Sequence, residues 1–196
     1  MRPLRREAVM RKIIALAVIV LFLAGFAWSV WAKEEQLKNG DTVVVRLAPR
    51  DPRAFLLGDY MALNYALNRE VEDALDRQRP SGDDPQPAWR NRKDVSRWPR
   101  DGVAVVRLDA GKVASFVRLD DGAPLRDDEH RLYFRVREGR AKIAAAAFYF
   151  QEGYAKDFDR AQYGELRVDA KGKSLLVHLL DDKLQRIQPR KTKTQE

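Results

Sequence analysis

The sequence predicts a mainly β domain, a sandwich or open barrel of about seven or eight strands, behind one membrane-spanning helix. The first observation is an uncharged run of twenty residues, 13–32, which as an α-helix is long enough to span a bilayer core. The second is a series of short β-branched or alternating segments, separated by turn residues, from residue 42 onward. One or two short helices are expected among the strands.

Basic residues cluster before the apolar run. Residues 1–12 contain five arginines and lysines, whereas only Lys33 and Lys38 follow the run closely. The positive-inside rule therefore predicts a cytoplasmic tail, a signal-anchor helix, and an extracytoplasmic (periplasmic) domain over 33–188. The expected location is the inner (cytoplasmic) membrane, crossed once.

A cleaved signal peptide is the competing interpretation of the run. Val30-Trp31-Ala32 resembles a small-x-small cleavage site. We favour the uncleaved anchor because the apolar core of a signal peptide usually has about 7–15 residues, and because Trp28 and Trp31 suit a membrane interface. The domain is expected to be exported whether or not the segment is cleaved.

The strands are predicted from β-branched content and alternation. Thr42–Pro49 is a strand ended by proline, and the alternation of Met61, Leu63, Tyr65 and Leu67 indicates a half-buried strand. A short helix is expected over about 68–78. Further strands are expected at Val103–Leu108, Val113–Leu119, Arg131–Arg137, Lys142–Phe150, Leu166–Val168 and Leu175–Leu180, with a helical turn within Gly153–Gln162.

Two segments lack periodicity. Residues 79–100 are rich in proline, glycine and charge, which is typical of a mobile surface loop. The alternative is a binding loop that uses Trp89 and Trp98, since long irregular loops are often functional. The basic C-terminal residues 189–196 are expected to fray.

Three collinear segments resemble a known family. Gly58-Asp59-Tyr60-Met61-Ala62-Leu63-Asn64-Tyr65 contains every fixed letter of the pattern G-D-Y-x-x-L-x-Y, Pro49-Arg50-Asp51-Pro52-Arg53 precedes it, and Phe148-Tyr149-Phe150-Gln151-Glu152-Gly153 leads to a hairpin with glycine at its turn. The chain thus resembles the GDYXXLXY family of bacterial membrane-associated domains, which have no assigned activity. The resemblance covers about residues 10–187. It implies membrane attachment, sometimes through several spans, whereas this chain has one.

The motif has a structural and a functional interpretation. Gly58 can adopt a positive φ, and Asp59 can accept hydrogen bonds from nearby backbone N–H groups. An ion pair between Asp51 and Arg53 would brace the same turn. In the functional interpretation, Arg53, Asp59 and Tyr60 form a recognition edge for a partner protein or peptide.

Signals for chemistry are weak. The chain has no cysteine, which excludes thiolate nucleophiles and cysteine-bound metals. No serine stands in a G-x-S-x-G or S-x-x-K pattern, and His130 and His178 lack the spacing of metal ligands. Neither a metal nor a cofactor is expected. A carboxylate pair of Asp59 and Glu152 would be the candidate for hydrolysis if a cleft existed.

These observations predict a non-catalytic interaction or assembly module of the cell envelope. Its partner would be an envelope protein or a multi-span membrane protein, bound through the motif turn, Gly153 or the two loop tryptophans. Nucleic acid is not expected, because the net charge of +8 includes no basic helix or basic-aromatic strip. The alternative is an envelope hydrolase or carbohydrate-binding module that uses Asp59 and Glu152.

Overall fold

A computed structural model of the chain describes residues 3–48, 60–78, 98–151 and 154–189. The chain divides into two compact units, Met1–Asn39 and Gly40–Glu196.

The first unit is a single helix, α1, which runs from Pro3 to Asn39. Within the described residues it is the one helix long and apolar enough to cross a membrane, and its large apolar side chains are exposed. The helix continues seven residues beyond the predicted end of the apolar run because residues 33–38 are mostly strong helix formers. It ends just before Gly40, since glycine favours helix termination.

Nine strands and two short helices make up the described part of the second unit. The strands are β1 (Asp41–Arg46), β2 (Tyr60–Ala62), β3 (Asp101–Leu108), β4 (Ala114–Leu119), β5 (Glu129–Arg137), β6 (Arg140–Lys142), β7 (Ala147–Tyr149), β8 (Tyr163–Val168) and β9 (Ser174–Leu180), and the helices are α2 (Ala66–Arg77) and α3 (Ala155–Phe158). All strand pairs are antiparallel, in sheets ordered β1-β8-β9, β2-β7 and β4-β3-β5-β6. The predicted fold class, a mainly β domain after an apolar helix, is confirmed.

The core of the second unit lies between the strands and one face of α2. Leu67, Val71 and Leu75 of α2 are buried because they recur every fourth residue on the same face of the helix. They belong to the same apolar cluster as Leu132 and Phe134 of β5. Burial of each such side chain stabilises the fold by about 1.5–3 kcal/mol.

Aspartates organise three of the tight turns. Asp109, Asp169 and Asp181 each accept, through Oδ1, two backbone hydrogen bonds of 2.8–3.0 Å from the N–H groups two and four residues later. These bonds hold the β3–β4 and β8–β9 turns within a few residues of the chain.

The single strand predicted over Lys142–Phe150 is instead two short strands, β6 and β7. The chain bends between them, where the backbone N–H of Ile143 donates to Asn68 Oδ1 at 3.3 Å and the carbonyl of Ile143 accepts from the hydroxyl of Ser174. These long-range contacts hold the bend, so that β6 belongs to the four-stranded sheet whereas β7 pairs with β2.

Candidate functional site

The described part of the motif alternates between solvent and core. Tyr60 is 44% exposed, whereas Met61, Leu63 and Tyr65 are at most 8% exposed. Alternate residues of an extended chain point to opposite faces, which explains why these three side chains share the buried face. The inward half of the motif therefore has a packing role.

Tyr65 joins this extended segment to α2. Its hydroxyl donates a 3.0 Å hydrogen bond to the carbonyl of Ala145, and its own carbonyl accepts one from the N–H of Asn68. Burial raises the pKa of the Tyr65 phenol above its ordinary value. The ring also lies against Gly164 of β8, where an added Cβ would sit 3.3 Å from Tyr65 Cε1. Tyr65 is thus a structural residue.

Tyr60 faces outward beside a second tyrosine. In the β2–β7 pair it lies opposite Tyr149, with ring centroids 5.7 Å apart and ring planes inclined by 39°. Tyr149 is 75% exposed. The two rings form an exposed aromatic pair, called the tyrosine pair below.

Tyr149 was not among the sequence-predicted site residues. The sequence did indicate that Tyr149 faces away from its two neighbours, because the side chains of the aromatic run Phe148-Tyr149-Phe150 must alternate across a strand. Phe148 and Phe150 contact Phe158 of α3 at centroid distances of 5.2 and 5.3 Å, and Tyr149 points to the other side. The sequence alone did not show which face was exposed.

Several predicted site residues lie outside the described residues. They are Asp51, Arg53, Gly58, Asp59, Trp89, Glu152 and Gly153. The expected Asp51–Arg53 ion pair and the Asp59–Glu152 carboxylate pair therefore both fall outside the described part of the chain.

Trp98, the second tryptophan of the predicted loop, is described. It is only 9% exposed and belongs to the core cluster. Its indole N–H donates a 3.2 Å hydrogen bond to Asp76 Oδ1 on α2. This position gives Trp98 a packing role and little surface for a partner.

The most buried acidic groups of the second unit are held by arginines. Glu165 forms two 3.0 Å hydrogen bonds with Arg186. Glu129 lies 3.8–3.9 Å from the guanidinium groups of Arg107, Arg118 and Arg126. Buried carboxylates need such partners, so the ion pairs in both clusters stabilise the folded domain.

The two histidines lie in different settings. His130 Nδ1 is 3.6 Å from Asp41 Oδ2, while burial and the nearby Arg186 lower the pKa of His178. Among the residues that the structure describes, no group of three or more His, Asp and Glu side chains could hold a metal ion.

Comparison with known proteins places the chain in a family. A family model described as "GDYXXLXY protein" matches residues 22–179, from within α1 to the penultimate residue of β9. The chain belongs to the GDYXXLXY family. No curated protein and no solved structure gave a significant match.

In this member of the GDYXXLXY family, the described fixed letters of the motif have two roles. Leu63 and Tyr65 are buried and hold the extended segment against the core. Tyr60 contributes to the exposed tyrosine pair, and its partner Tyr149 also lies within the matched residues.

Proposed function

We propose that this GDYXXLXY domain is a non-catalytic interaction module that binds a partner protein through the tyrosine pair. The observation that carries the proposal is the exposure of Tyr60, a fixed letter of the motif, beside the still more exposed Tyr149. Leu63 and Tyr65 are accounted for by packing, but two exposed rings contribute little to a core. Tyrosine is enriched at interfaces because its rigid ring buries much apolar area and its hydroxyl can still bond.

The sheet that carries the pair suits this role. Within the described residues, β2 and β7 pair only with each other, so the two rings lie on a small separate sheet. Phe148 on the reverse side packs against Phe158, which fixes the sheet to the domain. Rigid aromatic anchors of this kind often supply most of the binding energy of an interface.

The partner is proposed to be an envelope protein or a multi-span membrane protein. Helix α1 would hold the domain at the inner membrane as a single signal-anchor span, with the basic tail in the cytoplasm and the domain outside it. The five basic residues before the apolar run, against Lys33 and Lys38 after it, support this orientation.

In-cell photocrosslinking tests the proposal. A photoreactive residue at position 60 or 149 should crosslink a specific membrane or envelope protein. That protein should also co-purify in detergent with the wild-type chain and be lost from the double variant Tyr60→Ala, Tyr149→Ala.

Tyr163→Ala is the matched control. Tyr163 lies on β8 in another sheet, half-buried, where its hydroxyl accepts a 3.1 Å hydrogen bond from Arg46. The tyrosine pair would be refuted as the contact surface if the double variant, present at the same level as the wild type, still co-purified with the crosslinked protein. It would also be refuted if Tyr163→Ala lost that protein to the same extent.

A further inference from the structure

A basic pocket opens on the second unit, and neither member of the tyrosine pair lines it. It has a volume of about 400 Å³ and lies between β5, β6 and the β8–β9 turn. Its polar lining is Tyr133, Arg135, Arg137, Lys142, Lys173 and Ser174, and no carboxylate of the described residues lines it.

The positions of the cations follow from strand geometry. Tyr133, Arg135 and Arg137 alternate along β5 and share one face, opposite the buried Leu132 and Phe134. This face lines the pocket.

Like charges face each other across the β5–β6 ladder. Arg135 lies directly opposite Lys142, and Arg137 lies opposite Arg140. Such cross-strand pairs destabilise a sheet. Arg135, Arg137 and Lys142 form no ion pair with any carboxylate of the described residues, so a bound anion would relieve this repulsion.

The wall of the pocket is held by backbone contacts. The Tyr133 N–H donates a 2.8 Å hydrogen bond to the carbonyl of Gly172, and a Cβ at Gly172 would lie 3.0 Å from the Arg131 carbonyl oxygen. The Ser174 hydroxyl donates to the carbonyl of Ile143. The guanidinium of Arg135 lies 5.7 Å from the centroid of the Tyr133 ring. The cations are therefore presented by a preorganised frame, which lowers the entropic cost of binding.

We propose that this pocket binds a phosphate-bearing anion, carried either by a soluble phosphorylated compound or by a lipid headgroup. Planar guanidinium groups bind phosphate oxygens through paired N–H bonds. A phosphate monoester carries about −1.5 to −2 charge. It therefore neutralises several neighbouring cations better than a carboxylate, which carries a single negative charge. The site goes beyond the protein contact proposed above and does not depend on it.

Calorimetry on the full chain in a non-ionic maltoside detergent tests the proposal, with pyrophosphate as the probe at constant ionic strength. Pyrophosphate should bind, and Arg135→Gln should weaken binding about tenfold or more, since a hydrogen bond to a charged group is lost. Lys183→Gln, which removes the same charge from an exposed turn, should bind like the wild type.

Thermal melts provide a second readout. Pyrophosphate should raise the Tm of the wild type, and Lys142→Gln should reduce this rise while leaving the ligand-free Tm unchanged or higher, because a like-charge pair is removed. Equal binding by Arg135→Gln and Lys183→Gln, or tighter binding of citrate than of pyrophosphate, would overturn the proposal.

Competition distinguishes the two sources of phosphate. Dihexanoyl phosphatidic acid, a short-chain lipid whose headgroup is a phosphate monoester, should displace pyrophosphate at a lower concentration than glycerol 3-phosphate does if the ligand is a lipid. If the two compete at the same concentration, the acyl chains add nothing to binding and the ligand is a soluble phosphorylated compound.

Discussion

The hydroxyl of Tyr65 donates a 3.0 Å hydrogen bond to the carbonyl of Ala145, 80 positions later in the chain. This bond ties the motif to the bend between β6 and β7. It makes the final tyrosine of the motif a structural element and separates its role from that of Tyr60.

Tyr65→Phe should lower the free energy of unfolding of the second unit by about 1 kcal/mol, because the Ala145 carbonyl loses its donor while the ring is kept. Tyr65→Ala should cost about 3–5 kcal/mol, since a large buried ring is removed. Urea denaturation followed by circular dichroism would measure both. Tyr149→Phe, on an exposed ring, is the control and should leave stability unchanged.

Gly164→Ala should destabilise the fold by about 1 kcal/mol through overpacking, because the buried ring of Tyr65 is held by its bond to Ala145 and cannot move away from the added Cβ. The added Cβ would lie 3.1 Å from Leu176 Cδ1 and 3.3 Å from Tyr65 Cε1. Gly25→Ala in α1, where nothing lies within 4 Å of the new Cβ, is the matched control. Equal unfolding midpoints of the second unit in the two variants would contradict the packing of Tyr65 against β8.

Trp98→Ala should destabilise the fold by about 3–5 kcal/mol, because the ring is buried and its N–H donates to Asp76. The measurement is a thermal melt compared with that of Tyr60→Ala, which should be near the wild type. A Trp98 variant with unchanged stability would instead favour the role of this residue as a loop contact.

The ion pair of Asp120 and Arg131 should make stability depend on pH. Arg131 donates a 2.9 Å hydrogen bond to the carboxylate of Asp120, and this bond holds the pKa of Asp120 below its ordinary value. The folded state thus binds a proton less readily than the unfolded state, so the stabilisation is present above the unfolded pKa and is lost as pH falls through the folded pKa. Asp120→Asn should be less stable than the wild type at pH 7, and this difference should disappear in strong acid.

The absence of cysteine allows a clean test of orientation. A membrane-impermeant maleimide should label Ser115→Cys, on an exposed position of β4, in intact spheroplasts. Ala8→Cys in the N-terminal tail should react only after permeabilisation. The reverse pattern would contradict the proposed topology.

The apolar helix and the mainly β class of the domain could be predicted from the amino-acid sequence alone. These features depend on local signals: an uncharged run, alternation of apolar side chains, and turn residues between the strands. The buried positions of Met61, Leu63 and Tyr65 followed from the same alternation.

Which distant segments of the chain meet could be seen only in the folded domain. The pairing of Tyr60 with Tyr149, the burial of Trp98 against α2, and the facing cations of β5 and β6 beside the β8–β9 turn each join segments separated in the chain or depend on strand register. Register and the choice of exposed face are set by how the whole core packs, because a one-residue shift would exchange the two faces of a strand. No local window of sequence contains that information.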